Sequence, residues 1–390
     1  LNNGDKTFTE SIAEWTDHTT QFSMGVDIAD LNNDGLPDVF STDMLPFLEE
    51  VYLKSGGEDT DQIKRIKAEL GFEPQYARNH LQLHTGLGSF MDLALQTRTF
   101  ATDWSWAVLL QDFDNNGQKD IFISNGIAKR PNDLDYINYL NSEAISRYRE
   151  DDPERTAKLI EKLPAQKLRN ILFRQQGDLQ FTAIGESQVG APTFSNGAAY
   201  ADLDGDGILE IVVNNINETA SVLHYDAEAG ANYLRVALQD PAGQTTKGAK
   251  VYVHLHDGQT LYQELQTVKG YQSSSSHYLH FGLGAATTID SLVVIWPDYS
   301  RQTTINPSAN ELVQVRKGAT GPTAGVRGSA SINKAPRFNL FPIPHQENPY
   351  VDDENEKLIP ERLSRQGPAV LYEDLDNDGL KDLVLGGAHG

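Results

Sequence analysis

Asp202-Leu203-Asp204-Gly205-Asp206-Gly207-Ile208-Leu209-Glu210 is the stretch on which the reading of this chain turns, because its pattern occurs four times. The other copies are DLNNDGLPD from Asp30 to Asp38, DFDNNGQKD from Asp112 to Asp120 and DLDNDGLKD from Asp374 to Asp382. Each copy places oxygen-bearing side chains at positions 1, 3, 5 and 9 and a glycine at position 6. Calcium is a hard cation that takes six to eight oxygen ligands, and alternate residues of a tight loop can surround it. Glycine at position 6 permits the sharp turn such a loop needs.

The candidate ligands follow from that spacing. They are Asp30, Asn32, Asp34, Leu36 and Asp38 in the first loop, and Asp112, Asp114, Asn116, Gln118 and Asp120 in the second. The third offers Asp202, Asp204, Asp206, Ile208 and Glu210, and the fourth Asp374, Asp376, Asp378, Leu380 and Asp382. The residues at position 7 (Leu36, Gln118, Ile208 and Leu380) contribute a backbone carbonyl in this reading. Over its first seven positions the loop resembles an EF-hand loop, but it closes at position 9 and has no glutamate at position 12. An apolar run follows each copy, so the loop joins strands and not helices. Asp, Asn and Gly form turns in any case, and one copy alone reads equally well as an acidic turn. Four copies with the same oxygen spacing favour Ca2+, one ion per loop and up to four in all.

The 390 residues suffice for two or three domains. A net charge of −23 argues against nucleic acid, whose phosphates demand a basic surface, and against an anionic membrane surface. There is no cysteine, which excludes a disulfide framework and a thiol nucleophile and points to a bacterial source over an extracellular animal one. No apolar run is long enough to span a membrane. The chain starts at Leu1 without a methionine, so a leader or anchor segment is expected to have been removed or to lie elsewhere.

The repeat extends beyond the acidic loop. A glycine hairpin precedes each of the first three loops, at Gly4 to Phe8, Gly86 to Phe90 and Gly177 to Phe181. From that Phe to the first Asp of the loop is 22, 22 and 21 residues. An aromatic residue stands eight before the loop (Phe22, Trp104, Phe194), followed by Ser23, Ser105 or Ser195 and then a small residue, Gly25, Ala107 or Gly197. Each unit thus reads as strand, glycine turn, strand, connection, strand, acidic loop, strand. About four strands per repeated unit predicts β-propeller blades. Both ends of the chain fall inside a unit, so the expectation is a piece of a longer protein, or blades supplied elsewhere.

The units are interrupted. Residues 46–77 contain Asp61 to Leu70, apolar at helical spacing with Gly71 as a stop, and residues 132–168 read as two helices, through Asp135 to Tyr148 and Pro153 to Leu163. Residues 1–229 are therefore read as repeats with helical insertions. Residues 230–317 lose the acidic loops and alternate as strands, with Val251, Val253 and Leu255 on one face and Tyr252, His254 and His256 on the other. Residues 318–365 read as a linker, and 366–390 as the start of a further repeat.

These features carry a resemblance. The acidic loops with their flanking strands resemble FG-GAP/VCBS repeats. Residues 230–317 resemble the ASPIC/UnbV domain through Gly248-Ala249-Lys250-Val251, Gly270-Tyr271-Gln272-Ser273, His280-Phe281-Gly282-Leu283-Gly284 and Asp290 to Asp298. Tyr299 departs from the glycine usual after Trp-Pro-Asp. The combination is similar to cartilage acidic protein-like chains and to large surface or secreted proteins of Bacteroidetes. It implies an all-β fold: calcium-binding propeller blades with helical insertions and a small β-sandwich-like domain. It also implies an exported protein at a bacterial cell surface, a protein or glycan ligand there, and association with a TonB-dependent transporter complex for nutrient uptake.

No catalytic constellation stands out. The carboxylates that could act as acid and base are committed to the repeated loops, and catalytic residues normally break a repeat. His254 and His256 have the spacing of a zinc pair but no third ligand nearby, and read as a solvated strand face. Trp104 reads as blade core and Trp106, which the repeat does not require, as packing or ligand contact. The reading is a non-enzymatic binding or scaffolding protein. The rival is a carbohydrate-active enzyme, a polysaccharide lyase or hydrolase, on the same scaffold.

Overall fold

The computed structural model describes residues 1–318, except 57–58, 143–144, 146–147, 150–151, 185–188 and 227–228, together with the strands at 370–373 and 382–385. Two short strands, β1 (Thr19–Thr20) and β4 (Gln75–Tyr76), pair in parallel beside the first blade. That blade has the order β2-β3-β5-β6, from Gly25–Ala29, Asp38–Thr42, His80–His84 and Phe90–Asp92. The second is β7-β8-β9-β10, from Ser105–Gln111, Asp120–Asn125, Ile171–Gln175 and Phe181–Ala183. The third is β11-β12-β13, from Ser195–Ala201, Glu210–Asn215 and Ser221–Leu223. All the pairings within these blades are antiparallel.

The acidic loop joins the first and second strands of each blade. The glycine hairpins at Gly86 and Gly177 join the third and fourth strands of the same blades, so the blade runs from one acidic loop to the hairpin that follows it. The sequence unit, which begins at the hairpin, is therefore two strands out of phase with the structural one. Antiparallel alternation puts acidic loops and glycine turns at one end of a blade. The connection between the second and third strands lies at the other end, and both insertions occupy it.

The cores lie between blades, and strand alternation explains how. In β7, Val108 and Leu110 face the core shared with the first blade, where they meet Leu31, Phe40 and Leu81, while Ala107 and Leu109 face the third. In β8, Ile121 and Ile123 face one way and Phe122 the other. Successive strand residues point to opposite faces, and this strand is covered on both, which is why Ile121-Phe122-Ile123 reads as an unbroken apolar run. Full burial of each such side chain contributes about 1.5–3 kcal/mol.

Five helices are described: α1 (Ile12–Trp15), α2 (Glu49–Tyr52), α3 (Asp61–Glu69), α4 (Leu134–Leu140) and α5 (Pro153–Lys162). The sequence anticipates the last three. Thr60, Asp133 and Asp152 cap them by accepting the N–H of Ile63, Tyr136 and Glu154. Gly71, at φ 81°, ends α3 in the left-handed region. Within the described residues α4 stops at Leu140, short of Tyr148. The two insertions dock on each other: Gly56 N–H donates to Asn132 O at 2.7 Å, and Leu134 N–H donates to Lys54 O at 2.7 Å.

Beyond the third blade come β14 (Asn232–Gln239), β15 (Lys250–Leu255), β16 (Thr260–Glu264), β17 (Tyr278–Gly284), β18 (Ile289–Ile295), β19 (Arg301–Ile305) and β20 (Leu312–Arg316). They form two sheets, β17-β14-β20 and β16-β15-β18-β19. One core, with Leu234, Val236, Val251, Val253, Phe281 and Leu292 among its members, fills the space between them. The module is thus a sandwich, and five sheets of three or four strands follow one another in a propeller-like series. Residues 319–365 lie outside the described residues. So does the fourth acidic loop, Asp374, Asp376, Asp378 and Leu380 included, although β21 (Val370–Glu373) and β22 (Asp382–Leu385) pair around it. Their register, Glu373 opposite Asp382, repeats that of Ala29 with Asp38, Gln111 with Asp120 and Ala201 with Glu210.

Candidate functional site

Three acidic loops are described, and their side chains play the same parts. The carboxylate at position 1 accepts the N–H of the glycine at position 6: Gly35 to Asp30 at 2.9 Å, Gly117 to Asp112 at 2.8 Å, Gly207 to Asp202 at 3.1 Å. The oxygen at position 5 accepts the N–H at position 7, from Leu36 to Asp34, Gln118 to Asn116 and Ile208 to Asp206, at 2.7–2.8 Å. The carboxylate at position 9 accepts the N–H at position 2: Leu31 to Asp38, Phe113 to Asp120, Leu203 to Glu210. The other oxygen of Asp38 and Asp120 takes the N–H of His84 and Gln175 on the third strand, at 2.9 Å in each case. Position 9 therefore clasps loop to blade. In the third loop Glu210 reaches instead to His224 Nδ1, at 2.7 Å.

Position 4, which the ligand pattern ignores, also has a function. Asn33, Asn115 and Gly205 there adopt φ of 57°, 61° and 83°, a region that Asn and Gly enter most readily. The Asn side chains link one loop to the next. Asn33 Nδ2 donates to Gly117 O at 3.0 Å and Asn115 Nδ2 to Gly207 O at 2.8 Å. Lys119, buried, donates back to Asp30 O at 2.7 Å. A second clasp closes the opposite end of the blades. Asp43, Asn125 and Asn215 stand five residues past position 9. Asn125 and Asn215 accept from Ser105 and Ser195 at 2.9 Å, and Asp43 accepts from the N–H of Phe22 at 2.8 Å. The recurring Ser of the repeat and this fixed spacing are the sequence signals for it.

The carboxylates converge unequally. Those of Asp112, Asp114 and Asp120 bring an oxygen each within 4.8 Å of one another, as do those of Asp202, Asp204 and Asp206. Asp30, Asp34 and Asp38 do not form such a group, and neither does Glu210. Burial raises the carboxyl of Asp112, with repulsion from Asp114 adding to it, and likewise raises Asp120 with the help of Asp112. Burial pushes Asp38 up to about 7 and also raises Asp30. Part of the charge is met by protein: Arg174 pairs with Asp114 and Arg235 with Asp202. Converging hard oxygens are what a divalent cation requires, so the buried second loop and the more open third loop fit a metal ion and the first does so less well. Leu36, Asn116, Gln118 and Ile208 take part in the loop hydrogen bonds above, and Asn32 Nδ2 donates to Asp34 Oδ2 at 3.0 Å.

The sandwich module packs on the propeller through the segment after β16. Lys269 Nζ meets the buried Asp27 carboxylate at 2.5 Å, and Tyr271 lies 4.8 Å from the Trp106 ring. Trp106 is thus a packing residue of this contact, with its Nε1 donating to Gly126 O. Trp104 is buried as well. A cleft of about 320 Å3 remains between blades and module, beside Asp27, Lys119, Tyr200, Tyr262, Glu264 and Lys269. His254 bonds Thr260 at 2.9 Å and the exposed His256 bonds Asp290 at 3.0 Å. Neither belongs to a metal-like group among the described residues. A cluster that the sequence reading missed lies at the first blade. His18, His80 and Arg78 all converge on Asp92 Oδ2, at 2.9, 2.7 and 2.7 Å. The guanidinium brings a permanent positive charge to that cluster.

Comparison with known proteins agrees with this architecture. Residues 242–322 match the family described as "ASPIC and UnbV", and residues 1–41 and 165–213 match the FG-GAP-like repeat. The chain is similar to cartilage acidic protein 1 of Homo sapiens, 26% identical over 303 residues, which is 76% of this chain and 36% of the relative. The Xenopus tropicalis protein of that name is 27% identical over 303 residues and the Mus musculus protein 26% over 304, covering 76% of this chain and 37% of each relative. The chain therefore spans about a third of the length of the curated relatives it matches.

Proposed function

We propose that these FG-GAP-like blades and their ASPIC/UnbV module form an exported binding scaffold whose acidic loops are closed by calcium. The observation that carries the reading is the convergence of Asp112, Asp114 and Asp120 in a buried site, with three carboxylates also converging in the more open loop at Asp202, Asp204 and Asp206. Asp30, Asp34 and Asp38 hold a third and weaker site, and the loop at Asp374 to Asp382 a fourth. A bound Ca2+ supplies positive charge where burial and mutual repulsion otherwise oppose ionisation. The protein's own part is to hold the loops taut through positions 1, 5 and 9. No step of bond making or breaking is needed.

The relatives are named for cartilage, an extracellular matrix, which agrees with an extracellular location. No helix among the described residues is long and apolar enough to cross a membrane. We place the protein at a bacterial outer-membrane surface, as an accessory subunit beside a TonB-dependent transporter, with a protein or glycan as its ligand. The paired insertions, on the face away from the acidic loops, are the surface that distinguishes this scaffold from its bare repeats. Pull-down of the native protein from membranes followed by mass spectrometry tests the partner, and recovery of no transporter component removes that assignment.

A lyase acting on acidic polysaccharides would need a free cation in the cleft to neutralise the substrate carboxylate. The cations there are engaged: Lys269 holds Asp27 and Lys119 holds the Asp30 carbonyl. That favours binding over catalysis. Depolymerisation of acidic polysaccharides by the full chain, abolished in Lys119→Ala, would reverse the choice.

A further inference from the structure

The module reaches the third loop with side chains, Arg235 at Asp202 and the Tyr233 ring at Gly207, but it meets the second loop with the backbone of a strand. Strand β17, the His280-Phe281-Gly282-Leu283-Gly284 segment, crosses that loop directly. A Cβ added at Gly282 would stand 1.9 Å from Asp112 Oδ2 and 2.6 Å from the Cα of Asn115. Only glycine lets the backbone approach a loop carboxylate so closely. The strand is also bonded to the loop. Gly284 N–H donates to Asn115 O at 2.9 Å, and His280 Nε2 donates to Asn115 Oδ1 at 2.6 Å. On its other face Phe281 and Leu283 belong to the sandwich core, so the strand moves only with its module.

The consequence is a difference in access. Asp112, Asp114 and Asp120 are 3%, 1% and 1% exposed, whereas Asp34 in the first loop and Asp204 and Asp206 in the third are open to solvent. Beside the covered loop, Gln175 keeps its side-chain Oε1 buried and without a hydrogen-bond partner, an oxygen that the loop's own bonds leave over.

We propose that the ASPIC/UnbV module is the gate of the second loop: a divalent cation reaches or leaves Asp112, Asp114 and Asp120 only when β17 lifts. The second loop then holds a slowly exchanging ion, and the third loop a freely exchanging one. This rests on the calcium reading above and assigns the module a part in it. The two Gly residues and the His of the His-Phe-Gly-Leu-Gly segment are the contact surface of the gate.

The test is release of radioactive calcium. The full chain is loaded with 45Ca2+ and diluted into excess unlabelled calcium, and the retained label is followed in time. Two phases are expected, with a single slow ion per chain that Asp114→Asn removes without touching the fast phase. Gly282→Ala, and independently Asn115→Gly, should speed the slow phase about tenfold, the effect of losing one such contact. Asn115→Gly keeps the backbone at a φ that glycine adopts freely and removes the side-chain bonds to His280 and to Gly207 O, so it remains informative if Gly282→Ala fails to fold, and an unchanged fast phase shows that the loss at Gly207 does not act on the third loop's ion. Calcium bound but released in one fast phase overturns the gate and leaves the calcium reading intact, as does a slow phase that neither variant alters. No retained calcium at all overturns the calcium reading itself.

Discussion

Gly25 begins the innermost strand of the first blade, and a Cβ there would lie 1.9 Å from the carbonyl oxygen of Trp106 on the second. The repeat shows Gly25, Ala107 and Gly197 as a recurring small residue. Only packed blades show that it sets how closely inner strands can approach. Gly25→Ala is expected to lower unfolding free energy by about 2 kcal/mol, the range for overpacking, read by urea denaturation. At Asp92 the balance is electrostatic. Burial alone would raise its carboxyl, but hydrogen bonds from His18 and His80 and the charge of Arg78 outweigh it and hold the group well below its usual range. A depressed carboxyl stabilises the fold above its unfolded value of about 3.8 and loses that contribution as pH falls below it. Asp92→Asn should flatten the acid limb of the stability curve and cost about 3 kcal/mol at neutral pH, because buried Arg78 loses its carboxylate. A variant as stable as the parent at pH 7 would contradict this. None of this cluster was legible in the sequence, since His18, Arg78 and Asp92 are brought together from separate segments and share no motif.

At the scale of elements, the acidic loops were readable because metal spacing and turn chemistry demand the same residue types at fixed positions. Their phase was not. A hairpin 22 residues before the next loop looks like part of that loop's unit, but hydrogen bonding assigns it to the preceding blade. The bonds of Asp38 and Asp120 to His84 and Gln175 explain why: position 9 holds the third strand, which leads into the hairpin. The alternation of residues 250–255 announced a strand but not its partner sheet. The tether after β16 was legible only as a glycine turn. Its strength resides in Lys269, whose ammonium burial alone would depress and the Asp27 charge raises instead. Lys269→Ala leaves Asp27 buried without its cation, and should cost about 3 kcal/mol. Truncation of the exposed Lys250 should stay within about 0.5 kcal/mol. Equal losses from the two would remove the tether's special role.

Across the whole molecule, blades share cores with their neighbours, and consecutive acidic loops are joined through Asn33 and Asn115. The module then closes over the second loop. Ions held in such loops belong to the folded state alone, since the unfolded chain does not gather the carboxylates. They must therefore stabilise folding by mass action. Repetition made the propeller legible, and with it the acidic clusters that could hold a metal ion. The unrepeated parts, the insertions and the cleft, follow no spacing rule, and their chemistry was not legible. The central claim, calcium as the clasp of the blades, is tested most directly by thermal unfolding of the full chain in millimolar calcium and in excess chelator. The account predicts a melting temperature lower by at least about 5 °C on chelation, restored by calcium, and an unchanged melting temperature would contradict it.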